Sequence, residues 1–132
     1  MCLTNESKLP PIKPQYENGE IVCWVTGMMR NGKIVSAYLE TEYKIGEEMS
    51  AIEVKNKFFS QTDYLGRHAF LRRKDALANR NLYNTEDDPY CVVRAKVSPS
   101  NIIAFGGFMV IAEPKLAPCL RAKAMLYQRV VK

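Results

Sequence analysis

One histidine, four cysteines, an acidic triplet and a glycine pair are the residues in this 132-residue chain whose types could do chemistry. His68 stands in Gly-Arg-His-Ala-Phe, residues 66–70, whose alternation reads as a short strand running into a basic helix. An imidazole can move a proton near neutral pH, which makes His68 the one residue that supports a sharper chemical hypothesis. The structural alternative is a ring nitrogen satisfying a nearby backbone group. Cys2, Cys23, Cys91 and Cys119 are separated by 21, 68 and 28 residues, with no C-x-x-C pair and no zinc-ligand spacing. A thiol nucleophile needs a base beside it, and the chain holds a single histidine. Cys23 and Cys91 lie in apolar runs and read as core, whereas Cys2 and Cys119 read as exposed thiols. Glu86-Asp87-Asp88 lacks the spacing of a calcium loop and reads as a solvated turn. Gly106-Gly107 is not followed by the lysine and helix of a phosphate loop, and reads as a bulge or bend. With G-x-S-x-G, H-E-x-x-H and G-x-G-x-x-G also missing, no catalytic residue, metal or cofactor is expected, and the reading leans away from an enzyme.

The elements that would position these groups follow from turn residues and period. Residues 1–19 carry Pro10, Pro11 and Pro14 and form an extended lead-in, closed by an Asn18-Gly19 turn. Residues 20–26 are β-branched and aromatic on both alternating faces, as in an interior strand with Trp24 in the core. Asn31-Gly32 predicts a hairpin into residues 34–39. Residues 43–46 read as a short strand, and residues 47–65 show no sustained period. Residues 72–83 form the one principal helix, ended by Asn84-Thr85. Residues 90–97 form the clearest strand, with Cys91, Val93, Ala95 and Val97 on one face and Arg94 and Lys96 on the other. Residues 120–131 fit strand and helix periods almost equally. Tyr127, Val130 and Val131 favour strand, with Leu120, Ala122, Ala124 and Leu126 on the apolar face. The fold expected is α+β: a single domain over residues 20–132, with a curved, mainly antiparallel sheet and one helix.

Composition narrows the class further. The chain is 47% apolar and 25% charged, which excludes disorder, and no apolar run reaches the ~18 residues of a membrane span. The first residues lack a signal-peptide pattern, so a reduced, cytoplasmic location is expected. Charge is unevenly spread: residues 1–54 hold five basic and eight acidic groups, and residues 55–132 hold fourteen and six. The basic residues gather around the helix (Arg67, Arg72, Arg73, Lys74, Arg80) and near the C-terminus (Lys115, Arg121, Lys123, Arg129, Lys132). Such groups could meet an acidic protein surface or neutralise nucleic-acid phosphates. Aromatic and arginine residues dominate interface energetics, so Tyr64, Arg67, Arg72, Arg73, Arg80, Arg121, Lys123, Tyr127 and Arg129 are the candidate partner contacts.

In order along the chain, Met1-Cys2-Leu3, Ile21-Val22-Cys23-Trp24, Tyr43-x-x-Gly46, the His68 block, Lys74-Asp75-Ala76, the strand at 91–97 and Arg121-Ala122-Lys123-Ala124 resemble a loose family of small uncharacterised proteins from phages and gut bacteria. The resemblance implies a small accessory protein, plausibly phage-encoded and acting in the host cytoplasm. Three readings follow. The first is a non-enzymatic interaction protein that binds and inhibits a host defence or regulatory protein. The second is a nucleic-acid binder using the basic C-terminal half. The third is a nucleotide site centred on His68, whose setting is similar to ADP-ribosyltransferase-like folds in which a strand histidine holds the nicotinamide ribose.

Overall fold

A computed structural model describes residues 3–36, 42–50, 66–109 and 116–131. Its elements in chain order are β1 (Thr4–Ser7), β2 (Gln15–Glu17), β3 (Glu20–Arg30), β4 (Lys33–Ser36), β5 (Glu48–Ser50), β6 (Arg67–Phe70), α1 (Arg73–Tyr83), β7 (Tyr90–Val97), β8 (Ile102–Met109), β9 (Leu116–Ala122) and β10 (Ala124–Val131). The strands make one open sheet in the order β1-β8-β9-β6-β3-β7-β10-β5, with β2 and β4 also paired to β3. Every strand pairing among the described residues is antiparallel. The molecule is therefore mostly antiparallel sheet with one helix, as a small α+β fold requires.

Two tight hairpins start the sheet. Asn18-Gly19 joins β2 to β3 and Asn31-Gly32 joins β3 to β4, and all four residues have φ between +52° and +80°. Left-handed pairs of this kind match the right-handed twist of the flanking strands. The proline-bearing lead-in is extended, and both of its strands are hydrogen-bonded into the sheet: β1 on β8, β2 on β3.

Each sheet face carries its own core. On one, Ile21, Cys23 and Val25 of β3 meet Val93, Ala95 and Val97 of β7, together with Leu120, Met125 and Tyr127. On the other, Val22, Trp24, Val92, Phe70 and Cys119 are covered by Ala76, Leu77 and Ala78 of α1. The strict alternation along β3 and β7 serves both cores at once, so neither strand has a solvent face. Thr26 fastens the helix by donating from Oγ1 to the Ala76 carbonyl at 3.0 Å. At its far end, the Tyr90 N–H donates to Asn84 Oδ1 at 2.8 Å.

Several expectations are corrected. Residues 43–46 form no strand. The Tyr43 N–H donates to the Ile34 carbonyl and the Gly46 N–H to the Tyr127 carbonyl, which sets the Tyr43 ring 4.7 Å from that of Tyr127. Cys119 is fully buried rather than exposed, because it points to the α1 side of β9. The C-terminal segment is extended, but the chain turns a corner at Lys123, whose N–H donates to the Asn101 carbonyl. Inward parity therefore switches from Leu120 and Ala122 to Met125 and Tyr127. The expected apolar face at Ala124 and Leu126 is the less buried one.

Gly106 and Gly107 lie within one continuous strand, β8, and what demands them is close approach. A Cβ on Gly106 would stand 2.9 Å from Leu3 Cβ and from the Thr4 carbonyl oxygen, and one on Gly107 would stand 2.7 Å from Leu116 Cβ. Gly107→Ala should lower stability by about 1–3 kcal/mol, the cost of overpacking a site whose neighbour is a Cβ fixed to a strand. Urea denaturation checks this; an unchanged midpoint would show that β9 can yield there.

Candidate docking site

Among the described residues, some basic side chains are neutralised by carboxylates of the lead-in and others face water. Arg94 and Lys96 of β7 and Arg121 of β9 are buried, although each is a cation on a long side chain. Burying a charge is costly unless a counter-charge and hydrogen bonds go with it. The counter-charges come from the first two strands. Glu17 of β2 accepts from Lys96 Nζ at 2.8 Å and from Arg94 Nη2, and Gln128 Oε1 accepts from Arg94 Nη1. Glu6 of β1 accepts from Arg121 Nε at 2.6 Å and from Nη2 at 3.0 Å, a bidentate pair. Hydrogen bonds from Lys96 and then Arg94 hold the Glu17 carboxyl down at about 2.

Two expected partner contacts are therefore corrected. Arg121 is not a free surface cation, because Glu6 and the sheet enclose it. Tyr127 is not a surface aromatic, because the parity switch at Lys123 turns it into the core, where burial raises its phenol pKa. Its hydroxyl accepts from Arg67 Nη1 at 3.0 Å, and the guanidinium carbon lies 5.6 Å from its ring centroid. Arg67 also donates from Nε to the Ser50 carbonyl at 3.0 Å, so it ties β6 to β5 and β10. Tyr64 lies outside the described residues. Lys123 and Arg129 are exposed, at the β9–β10 corner and on β10.

His68 sits beside Arg121 across the β6–β9 ladder. Its Nε2 is hidden without a hydrogen-bond partner. Burial, with a further push from the Arg121 cation, lowers the imidazole to about 4, against the opposing hydrogen bond to the Gly66 backbone. Glu6, the nearby carboxylate, is already held by Arg121. His68 is thus a neutral ring packed into the sheet, and it does not line the cleft described next.

That cleft, of about 630 Å³, lies between the lead-in, the first turn of α1 and the β8–β9 pair. Nothing in the sequence signals its outer wall, since Ser7, Leu9 and Pro11 belong to a segment without periodic pattern. Leu9 is 76% exposed and Leu116 is 39% exposed, which leaves apolar surface open to water along it. Its charged rim is the start of the helix, where Arg72 and Lys74 line the opening and Arg73 stands exposed between them. The helix begins at Arg73, one residue later than the sequence implies, because Arg72 is extended at φ −125° and ψ 134°. Asp75 is buried in the cleft wall and accepts from Arg72 Nε at 2.7 Å, leaving Arg73 and Lys74 as the rim's unneutralised charge among the residues that line or flank it. Arg80, near the helix C-terminus, donates from Nη2 to Asn81 at 2.7 Å.

Among the described residues no group of three or more metal-ligating side chains converges. No described helix is long and apolar enough to cross a membrane. No family model, curated protein or solved structure matches the chain.

The His68 environment has a measurable consequence. A histidine with an ordinary value near 6.5 when unfolded and about 4 when folded is protonated more readily in the unfolded chain. Its contribution is fully present above pH ~6.5 and is lost as pH falls toward ~4, a loss of roughly 3 kcal/mol across the window. The difference in urea stability between wild type and His68→Phe should therefore change across this window and stay flat above it. A His68 ring that titrates near 6.5 by NMR would contradict the burial argument.

Proposed function

We propose that this protein is a non-enzymatic docking module that takes an acidic, partly apolar segment of a protein partner against the cleft at the start of α1. What carries the reading is the pairing of unneutralised charge with open apolar surface. Arg73 and Lys74 stand exposed at the cleft, while the buried Arg94, Lys96 and Arg121 are paired with Glu17 and Glu6 of the lead-in. Positive groups beside an apolar trough select a partner with acidic residues flanking aliphatic or aromatic ones, and they steer its approach. Among the described residues, His68 is a half-buried ring held neutral, and Cys23 and Cys119 are buried thiols held protonated, which disfavours a nucleophile or base role for them. The resemblance to small phage and gut-bacterial proteins directs the search to host defence or regulatory proteins, which such docking would block.

The test is capture on the immobilised full chain from nuclease-treated bacterial lysate, beside the double variant Arg73→Glu, Lys74→Glu. The reading expects a defined protein retained after nuclease treatment, with affinity for the variant lower by roughly tenfold or more, about 1.4 kcal/mol. Retention that disappears with nuclease, together with binding that weakens steeply in salt, would assign the same charges to nucleic acid instead.

A further inference from the structure

The first strand has a neighbour in the sheet on one side only. All four residues of β1 are exposed along an edge of the sheet, and its register on β8 shifts between Thr4 and Ser7. Asn5 in that irregularity has a φ of +54°, a left-handed conformation that asparagine adopts more readily than other non-glycine residues. The chain then runs through Lys8, Leu9, Pro10 and Pro11, mostly exposed, before Ile12 packs on the main core and Pro14 is buried. Residues 3–8 thus form an arm that a proline hinge separates from the next core contact, at Ile12.

The arm nevertheless fits its seat specifically. Leu3 and Thr4 close on the Cβ-free face of Gly106, Thr4 Oγ1 donates to the Gly107 carbonyl at 3.1 Å, and Lys8 Nζ donates to the Ile103 carbonyl at 2.8 Å. Glu6 supplies the carboxylate that buried Arg121 requires. If the arm leaves, Arg121 loses that carboxylate and the β8 edge is unpaired, so the seat must be refilled by a chain of the same chemistry. A second copy carries that chain. We propose that the arm exchanges reciprocally between two copies, each seating its residues 3–8 on the β8 edge and Arg121 of the other. Every contact of the closed form is then remade, and only the hinge differs, which is the condition under which exchange costs little beyond association itself.

Charge reversal tests this with full-length chains. E6R places a cation against Arg121, and R121E places a carboxylate against Glu6, so each variant is mismatched with itself. In an equimolar mixture a reciprocal dimer sets the new arginine of E6R on the new glutamate of R121E in one seat. The other seat keeps the native pair of Glu6 on Arg121, so both seats match. Light scattering coupled to size exclusion should show a species of twice the 15.0 kDa chain mass in the mixture and not in either variant alone. A mixture that stays at the mass of one chain would overturn the proposal. Should either single variant fail to fold, unlabelled wild type and the uniformly 15N-labelled E6R/R121E double variant, each matched internally and separated in mass by the label, are incubated together at high concentration and read by native mass spectrometry. Exchange predicts dimers of each with itself and none between the two. No dimers at all, or mixed dimers at the statistical fraction, would overturn it.

Discussion

Three buried cations organise this molecule. Arg94, Lys96 and Arg121 project from the central strands into the α1 side of the sheet, where an unpaired charge would be strongly destabilising. Their carboxylates stand 77 residues away in the case of Arg94 and Glu17, and 115 residues away for Arg121 and Glu6. The need to neutralise these side chains fixes where the lead-in runs: β2 lies along β3 so that Glu17 reaches β7, and β1 lies on β8 so that Glu6 reaches β9. The cleft is a by-product of that path, since the segment between the two strands stands off from α1 and supplies the cleft's outer wall.

The same constraint changes what the charge layout means. An acidic first part and a basic second part suggest a molecule with one positive side. Folding instead brings acids of the first part onto bases of the second, and the net positive charge facing a cleft narrows to the first turn of one helix. The cleft therefore presents a small basic rim beside apolar side chains.

Local signals in the sequence are well kept by the structure where they depend on neighbours. The Asn31-Gly32 hairpin, the helix near residues 72–83 and the two-faced strand at 90–97 all rest on turn conformation or on alternation within a few residues. What was illegible depends on partners distant in the chain. Tyr127 reads as surface if the alternation begun at Leu120 continues, and only the corner at Lys123, held by Asn101, turns it inward. Arg121 reads as a docking cation until Glu6 is beside it. Cys119 reads as exposed because it follows a proline-marked loop, yet α1 and Trp24 cover it. Of the candidate site, Arg72, Arg73 and Lys74 were legible as charges, whereas the wall formed by residues 5–12 was not, since prolines and polar residues announce an extended path without saying which edge it joins.

The course of the lead-in depends on Glu17 remaining ionised because two buried cations donate to it. A carbon-detected NMR titration of the side-chain carboxyls reads this directly in the folded protein. Glu17 should show no protonation from about pH 6 down to about pH 3.5, with its midpoint at about 2. A Glu17 carboxyl that titrates at the ordinary value of 4.5 would mean that Arg94 and Lys96 are not held by it, and the physical reason for the lead-in's path would be lost.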